Sequence, residues 1–145
     1  MIRHPSCPRD EEVGGHYDEL DLLYRELWGE NLHHGLWDEP GDDAATAVRR
    51  LTHRVIDAAG VAESDRVCDV GCGYGRMAEV LARERGARVT GYTLASVQHE
   101  IAEARSPGDR GALDFVCEDW LRAESRPGEY DAVIAVESTA HMEDK

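Results

Sequence analysis

Arg66-Val67-Cys68-Asp69-Val70-Gly71-Cys72-Gly73-Tyr74-Gly75-Arg76 is the stretch that decides the fold. Arg66 to Val70 reads as a strand, Gly71 to Gly75 as a tight turn, and Arg76–Arg85 as a helix that turns Met77, Ala78, Leu81 and Ala82 inward and stops at Gly86. Glycine has no Cβ, so three glycines in five residues let main chain approach a ligand that side chains would hold off. With a strand before it and a helix after it, such a turn has the context of a nucleotide-like cofactor site. The motif by itself is equally compatible with a purely structural turn.

Outward from this unit the pattern repeats. Ala87–Tyr92 is a second strand, Ser96–Arg105 a helix, Leu113–Cys117 a third strand, and Asp131–Val136 a fourth whose nearly unbroken apolar run predicts cover on both faces. Strands alternating with helices over short connections predict an α/β fold, a Rossmann-like parallel sheet flanked by helices with right-handed crossovers. On the N-terminal side, Leu20, Leu23, Tyr24, Leu27 and Trp28 recur at helical spacing from Tyr17 to a stop at Gly29, which predicts one amphipathic helix. Asp42 or Asp43 caps another, carrying Ala44, Val48, Leu51, Val55 and Ala59 and ending at Gly60. Between them Glu30–Trp37 is too rich in histidine and aromatic rings for an indifferent linker. Residues 1–15 are polar and aperiodic and read as a mobile arm, which leaves 16–145 as the domain.

Composition bounds the function. A chain of 145 residues suits one domain, and 41% hydrophobic residues supply a modest core. Sixteen Lys and Arg against thirty Asp and Glu give a net charge of −14, which disfavours nucleic acid and anionic membrane surfaces as partners. No run approaches the ~20 apolar residues of a membrane span, and Met1-Ile2-Arg3-His4-Pro5 leads into charged sequence without a signal-peptide core, so the expected location is cytoplasmic. Cys7, Cys68, Cys72 and Cys117 form no C-x-x-C pair and are expected to be buried free thiols. Two adjacent histidines, His33 and His34, are too few for a metal site, and none is assigned.

The choice of cofactor follows from what is missing. A dinucleotide fingerprint wants its third glycine where Arg76 stands and an acid about 20 residues on, where Gly91-Tyr92-Thr93-Leu94 lies. A P-loop is excluded, because no G-x-x-x-x-G-K-[ST] occurs and the one lysine is Lys145. Asp69-x-Gly71-x-Gly73-x-Gly75 instead resembles the first motif of class I S-adenosylmethionine (SAM)-dependent methyltransferases. SAM is cationic at sulfur and carries no phosphate, which suits an acidic chain without a phosphate clamp.

The likeness narrows further. Gly91-Tyr92-Thr93-Leu94-Ala95-Ser96-Val97-Gln98 is similar to the G-x-T-L-S-x-x-Q segment of the small-molecule branch that includes tocopherol-type methyltransferases and cyclopropane fatty-acid synthases. There Thr93 and Gln98 replace the ribose-binding acid, and Asp119 and Trp120 hold and cover the adenine. Asp119 as a plain helix cap, and Gln98 as a solvated helix residue, are the structural alternatives. The Gly15-His16-Tyr17-Asp18 and Trp28–Trp37 segments resemble that branch's N-terminal lid, here residues 16–40, with Tyr17, Tyr24 and His34 as candidates to line it.

Val136-Glu137-Ser138-Thr139-Ala140-His141-Met142 falls at the carboxyl end of the fourth strand, where open parallel sheets hold ligands. By resemblance to the branch's E-S-x-x-H-M-x-D-K, His141 is the expected general base and Glu137 a substrate or cofactor contact; a histidine bonded to a strand-end carbonyl is the bland alternative. The resemblance implies methyl transfer to a small metabolite at oxygen, nitrogen or carbon. It spans residues 14–145 and the first half or so of a usual class I member, whose sheet continues through three more strands. The expectation is therefore a sheet truncated after its fourth strand, prone to self-association or to completion by a partner chain, with an inactive SAM-binding fragment as the alternative function.

Overall fold

The computed structural model describes residues 10–124 and 126–142, and for Asp10, Glu11 and His141 the backbone alone. Four parallel strands, β1 (Arg66–Val70), β2 (Arg88–Thr93), β3 (Ala112–Cys117) and β4 (Ala132–Ile134), lie in the order β3-β2-β1-β4. The chain steps outward from β1 through β2 to β3, then crosses back to the other side of β1. That reversal places a crevice above the carboxyl ends of β1 and β4, where an open parallel sheet takes its ligand.

Helices α3 (Ala44–Ala59), α4 (Arg76–Val80) and α5 (Ser96–Glu103) supply the covering layer. Asp43 caps α3 by accepting the Thr46 N–H at 2.7 Å, and Gly60 closes it in the left-handed conformation. Strand residues of one register parity, Val67, Val89, Phe115 and Ile134, pack against Ile56, Ala78, Leu81 and Ala102 from these helices. The helical run after the glycine turn is not uniform, because Leu81–Arg85 forms a π-helical turn before Gly86 reverses the chain. No helix among the described residues is long and apolar enough to cross a membrane.

The fourth strand departs from expectation. Val133 is 57% exposed, since the helices pack on the opposite face and β4 pairs only with β1 among the described residues. Cys68 is buried as expected, whereas Cys117 at the end of β3 is exposed; both, with Cys72, are free, and Cys7 lies outside the described residues.

The N-terminal region differs most. Helix α1 runs Asp10–Glu19, so the boundary of an irregular arm at residue 15 is wrong for residues 10–15, and α2 (Asp21–Trp28) follows as a separate helix across Leu20. The expected apolar stripe is turned out: Leu23, Leu27 and Trp28 are exposed, while Asp21 is buried. Asp21 turns inward because Tyr74 and Arg25 satisfy its carboxylate. α1 is fixed by Asp18, which accepts the Val97 N–H at 2.9 Å and the Ser96 hydroxyl at 2.8 Å, capping α5 from a distance. Composition hid this helix because two glycines interrupt it.

Those glycines serve opposite ends. A Cβ on Gly14 would meet the Leu94 carbonyl oxygen at 2.5 Å, whereas one on Gly15 meets nothing within 4 Å. Gly15→Ala is therefore expected to stabilise the chain by about 0.5–1 kcal/mol through helix propensity. Gly14→Ala should instead cost about 1–3 kcal/mol through steric overlap with main chain. Urea denaturation of the two variants checks the opposite signs.

Candidate active site

The glycine turn is built from three left-handed residues, Gly71 (φ 73°), Gly73 (φ 55°) and Gly75 (φ 72°). Their reasons differ. A Cβ on Gly71 would lie 2.3 Å from Cβ of Ser138, and one on Gly75 would lie 2.7 Å from the Phe115 ring. Only Gly73 has open space where a Cβ would be, so it alone of the three presents bare main chain to the cleft with none of the described residues in the way. Gly71 is small so that the loop after β4 can cross it, a crossing fastened by the Ser138 hydroxyl donating to the Val70 carbonyl at 2.6 Å.

Asp69, at the end of β1 between β2 and β4, is 4% exposed. Its Oδ2 is buried and accepts no hydrogen bond from the described residues. Burial without a compensating donor pushes its carboxyl up to about 7. An acceptor left unsatisfied in a cleft is a place for a ligand's donor or cation.

Most of the expected cofactor contacts converge on one cleft with an empty volume of about 1140 Å³, part of it open to solvent. Tyr17, Asp69, Gly71, Gly73, Thr93, Gln98, Asp119, Trp120 and Glu137 all line it; Gly75 does not, being turned to Phe115. Thr93 and Gln98 are both buried and joined, the threonine hydroxyl donating to Gln98 Oε1 at 2.7 Å while accepting the Ala95 N–H at 3.2 Å. Thr93 is thus a helix-entry residue and a cleft residue at once. Asp119 likewise has a local role, accepting the Leu121 N–H at 3.0 Å and lying 3.4 Å from Arg122. Trp120 meets Tyr92 edge to face at 5.1 Å and Tyr130 at 6.1 Å, which fixes its ring as one wall.

Glu137 stands at the mouth. Its φ of 58° is left-handed, a strained conformation for a side-chain-bearing residue. Two contacts from His34 secure it: the backbone N–H donates to Oε1 at 3.1 Å, and Nδ1 lies 2.7 Å from Oε2. His34 therefore acts through Glu137 and does not itself line the cleft; Tyr24 does not either, packing on Tyr17 and Trp28. The neighbouring His33 does line it, with Nδ1 2.8 Å from the His34 carbonyl oxygen. The backbone of His141 closes a 3₁₀ turn, Thr139–His141, beside the cleft residues Ser138 and Met142; the expected basic imidazole lies outside the described part of the molecule.

Several cleft residues escaped the sequence. Asn31, Leu32, Met77 and Tyr92 line it too, and only the unusual composition of Glu30–Trp37 signalled the first two. Gly35 explains how that segment reaches the cleft, since a Cβ there would meet Ala47 of α3 at 2.5 Å. Cys72 lines the cleft with its thiol held neutral by burial, which argues against thiolate chemistry.

Comparison with known proteins agrees with this fold. The methyltransferase domain family matches residues 67–145. The 27-O-demethylrifamycin SV methyltransferase of Amycolatopsis mediterranei is 34% identical over 142 residues, which cover 95% of this chain and 52% of that protein. The [4+2]-cyclase SpnF superposes with a TM-score of 0.79 at 30% identity, over 88% of this chain and 48% of that one. The mycolic acid cyclopropane synthase CmaA1, solved with S-adenosylhomocysteine (SAH) and CTAB, superposes at 0.78 over 88% of this chain and 45% of that one. At 18% identity, that second likeness is one of fold. The chain spans about half the length of the curated relatives it matches.

Asp69 gives this site a pH signature. Its carboxyl titrates above the ordinary 3.8, so between there and about 7 the folded chain keeps a proton that the unfolded chain has lost. Stability contributed by the neutral form therefore declines as pH rises through that window. A cationic ligand group against Oδ2 favours the ionised form, so affinity moves the other way. Calorimetry with SAH is expected to show affinity rising roughly tenfold from about pH 6 to about pH 8, with proton release, and a flat profile in Asp69→Asn.

Proposed function

This chain belongs to the methyltransferase domain family, and from that premise we propose that it binds SAM in the cleft above β1 and β4 and serves methyl transfer to a hydroxyl of a small organic acceptor. The observation that carries this reading is the buried, unsatisfied Oδ2 of Asp69 beside the open main chain of Gly73. The acidic chain and the absence of a phosphate clamp favour a cationic, phosphate-free cofactor over a dinucleotide. When bound, SAM supplies an electrophilic methyl carbon on a sulfonium.

The chain's own residues have distinct tasks. Asp69 holds a cationic group, Gly73 admits the ligand to main chain, and Gln98 with Thr93 offers polar atoms where the dinucleotide-type acid is lacking. Asp119 and Trp120 border the aromatic end of the cleft. Glu137, whose carboxylate is held by His34, and His141 on the following turn take the acceptor's side, where a hydroxyl must lose its proton near neutral pH. His141 as the base, with Glu137 as the group that positions acceptor or imidazole, is the division that best fits the resemblance. A hydroxyl acceptor is favoured over nitrogen or carbon because the rifamycin relative is named for an oxygen position.

A second reading, a SAM-binding unit completed by further strands, is favoured by β4, whose outer edge has no partner among the described residues and whose Val133 faces solvent. Sedimentation of the 145-residue chain with and without SAH, beside a turnover assay with SAM and a hydroxyl acceptor, separates the two: a monomer that binds and turns over supports the first, and binding without turnover in an associated species supports the second.

For the first reading, His141→Ala, by loss of proton transfer, and Glu137→Gln, by loss of positioning, are expected to lower kcat on the order of 10²-fold or more while leaving SAH affinity within about twofold. Full turnover in His141→Ala would remove the base assignment.

A further inference from the structure

Helix α2 has little apolar burial beyond the half-buried Tyr24, which packs on Tyr17 of α1. Leu22 is 76% exposed, Leu27 63% and Trp28 55%, so the helix keeps its place by other means. It is gripped at both ends by polar ties to the glycine turn. At its first residue, the buried Asp21 accepts the Tyr74 hydroxyl at 2.8 Å on Oδ1 while Arg25 Nε donates to Oδ2 at 3.0 Å. Just beyond its last residue, Glu30 makes a charge contact with Nη2 of Arg105 at 3.1 Å, without hydrogen-bond geometry. Arg105 in turn donates from Nε to the Tyr74 carbonyl and from Nη1 to the buried Glu79 at 2.8 Å.

Both ties converge on one residue. Tyr74 is 1% exposed and sits between Gly73 and Gly75, whose left-handed backbones orient the turn. Its hydroxyl fastens the start of α2 and its carbonyl, through Arg105, fastens the end. Any rotation of the turn moves both anchors. A segment with so little buried apolar surface opens at low cost, so its position follows the anchors. Residues 30–33 follow directly and form one wall of the cleft.

We propose that Tyr74 is a positioning residue that couples the cofactor turn to the covering segment 21–33, so that a ligand settled on Gly73 also fixes α2 and the Glu30–His33 wall. The coupling rests on the SAM-site reading above. It acts through Asp21 and Arg105, not through contact with the reacting atoms, and it is reciprocal: whatever fixes α2 also favours the ligand-ready turn.

Hydrogen exchange measured by mass spectrometry on the 145-residue chain, with and without saturating SAH, tests it. Tyr74→Phe keeps the ring in place and leaves Asp21 paired with Arg25. In the unaltered chain SAH is expected to slow exchange in both 71–75 and 21–33. In Tyr74→Phe the turn should still be protected by SAH while 21–33 exchanges about fivefold faster and loses its ligand-dependent protection, with SAH affinity lowered about fivefold. Glu30→Gln, a change at an exposed side chain with little folding hazard, should loosen 21–33 in the same direction through the second tie. SAH protecting 21–33 of Tyr74→Phe as fully as in the unaltered chain, or no change of 21–33 in Glu30→Gln, would overturn the coupling. Protection at 71–75 without any at 21–33 in the unaltered chain defeats the coupling alone, whereas no protection at 71–75 defeats the cofactor reading and the coupling with it.

Discussion

The molecule turns on the contact between Gly71 and Ser138. There the loop leaving β4 crosses the loop leaving β1 so closely that no Cβ fits on Gly71, and the Ser138 hydroxyl bonds the Val70 carbonyl beneath it. The reversal of strand order opens a crevice at this point, and the crossing fixes its floor. Asp69 is sealed from water on the strand below, and Glu137 is bent into a left-handed conformation in the loop that leaves β4. One close approach therefore sets the positions of both Asp69 and Glu137 in the cleft.

Around that floor the walls are held chiefly by polar contacts. Asp18 caps α5 from α1, His34 holds Glu137, and Tyr74 with Arg105 holds α2. Three of these contacts reach from the N-terminal segment, to the start of α5, the loop after β4 and the glycine turn, and the Arg105 bond ties the chain after α5 to that turn. This is how a chain can place a cover over its site with few buried apolar residues: the cover is oriented by directional bonds, while the core beneath is apolar. The cost is local stability in the cover, a property that ligand-gated segments share.

Much of this was legible in the sequence, and the limits have physical causes. β1 was readable at its full extent, Arg66–Val70, because a short apolar run before glycines has few other readings; α3 was bounded by Asp43 and Gly60, residues whose capping chemistry is local. The cleft residues Asp69, Thr93, Gln98 and Trp120 were legible through the family resemblance. The exposed face of α2 was not, because helical spacing says which residues share a side and not whether anything covers it. Nor could spacing distinguish Gly73, which opens on the cleft, from Gly75, which makes room for Phe115, a residue 40 positions away in sequence. The pairing of His34 with Glu137 joins residues 103 apart and left no local trace.

The central claim is that the cleft above β1 and β4 receives a sulfonium nucleoside on the bare main chain of Gly73 and against Asp69. A crystal structure of the chain grown with SAH tests this most directly. The account predicts ligand density over Gly73, with a nitrogen within hydrogen-bonding distance of Asp69 Oδ2 and the adenine end beside Trp120. Density elsewhere, or a protein side chain filling the space over Gly73 in a crystal saturated with SAH, would contradict it.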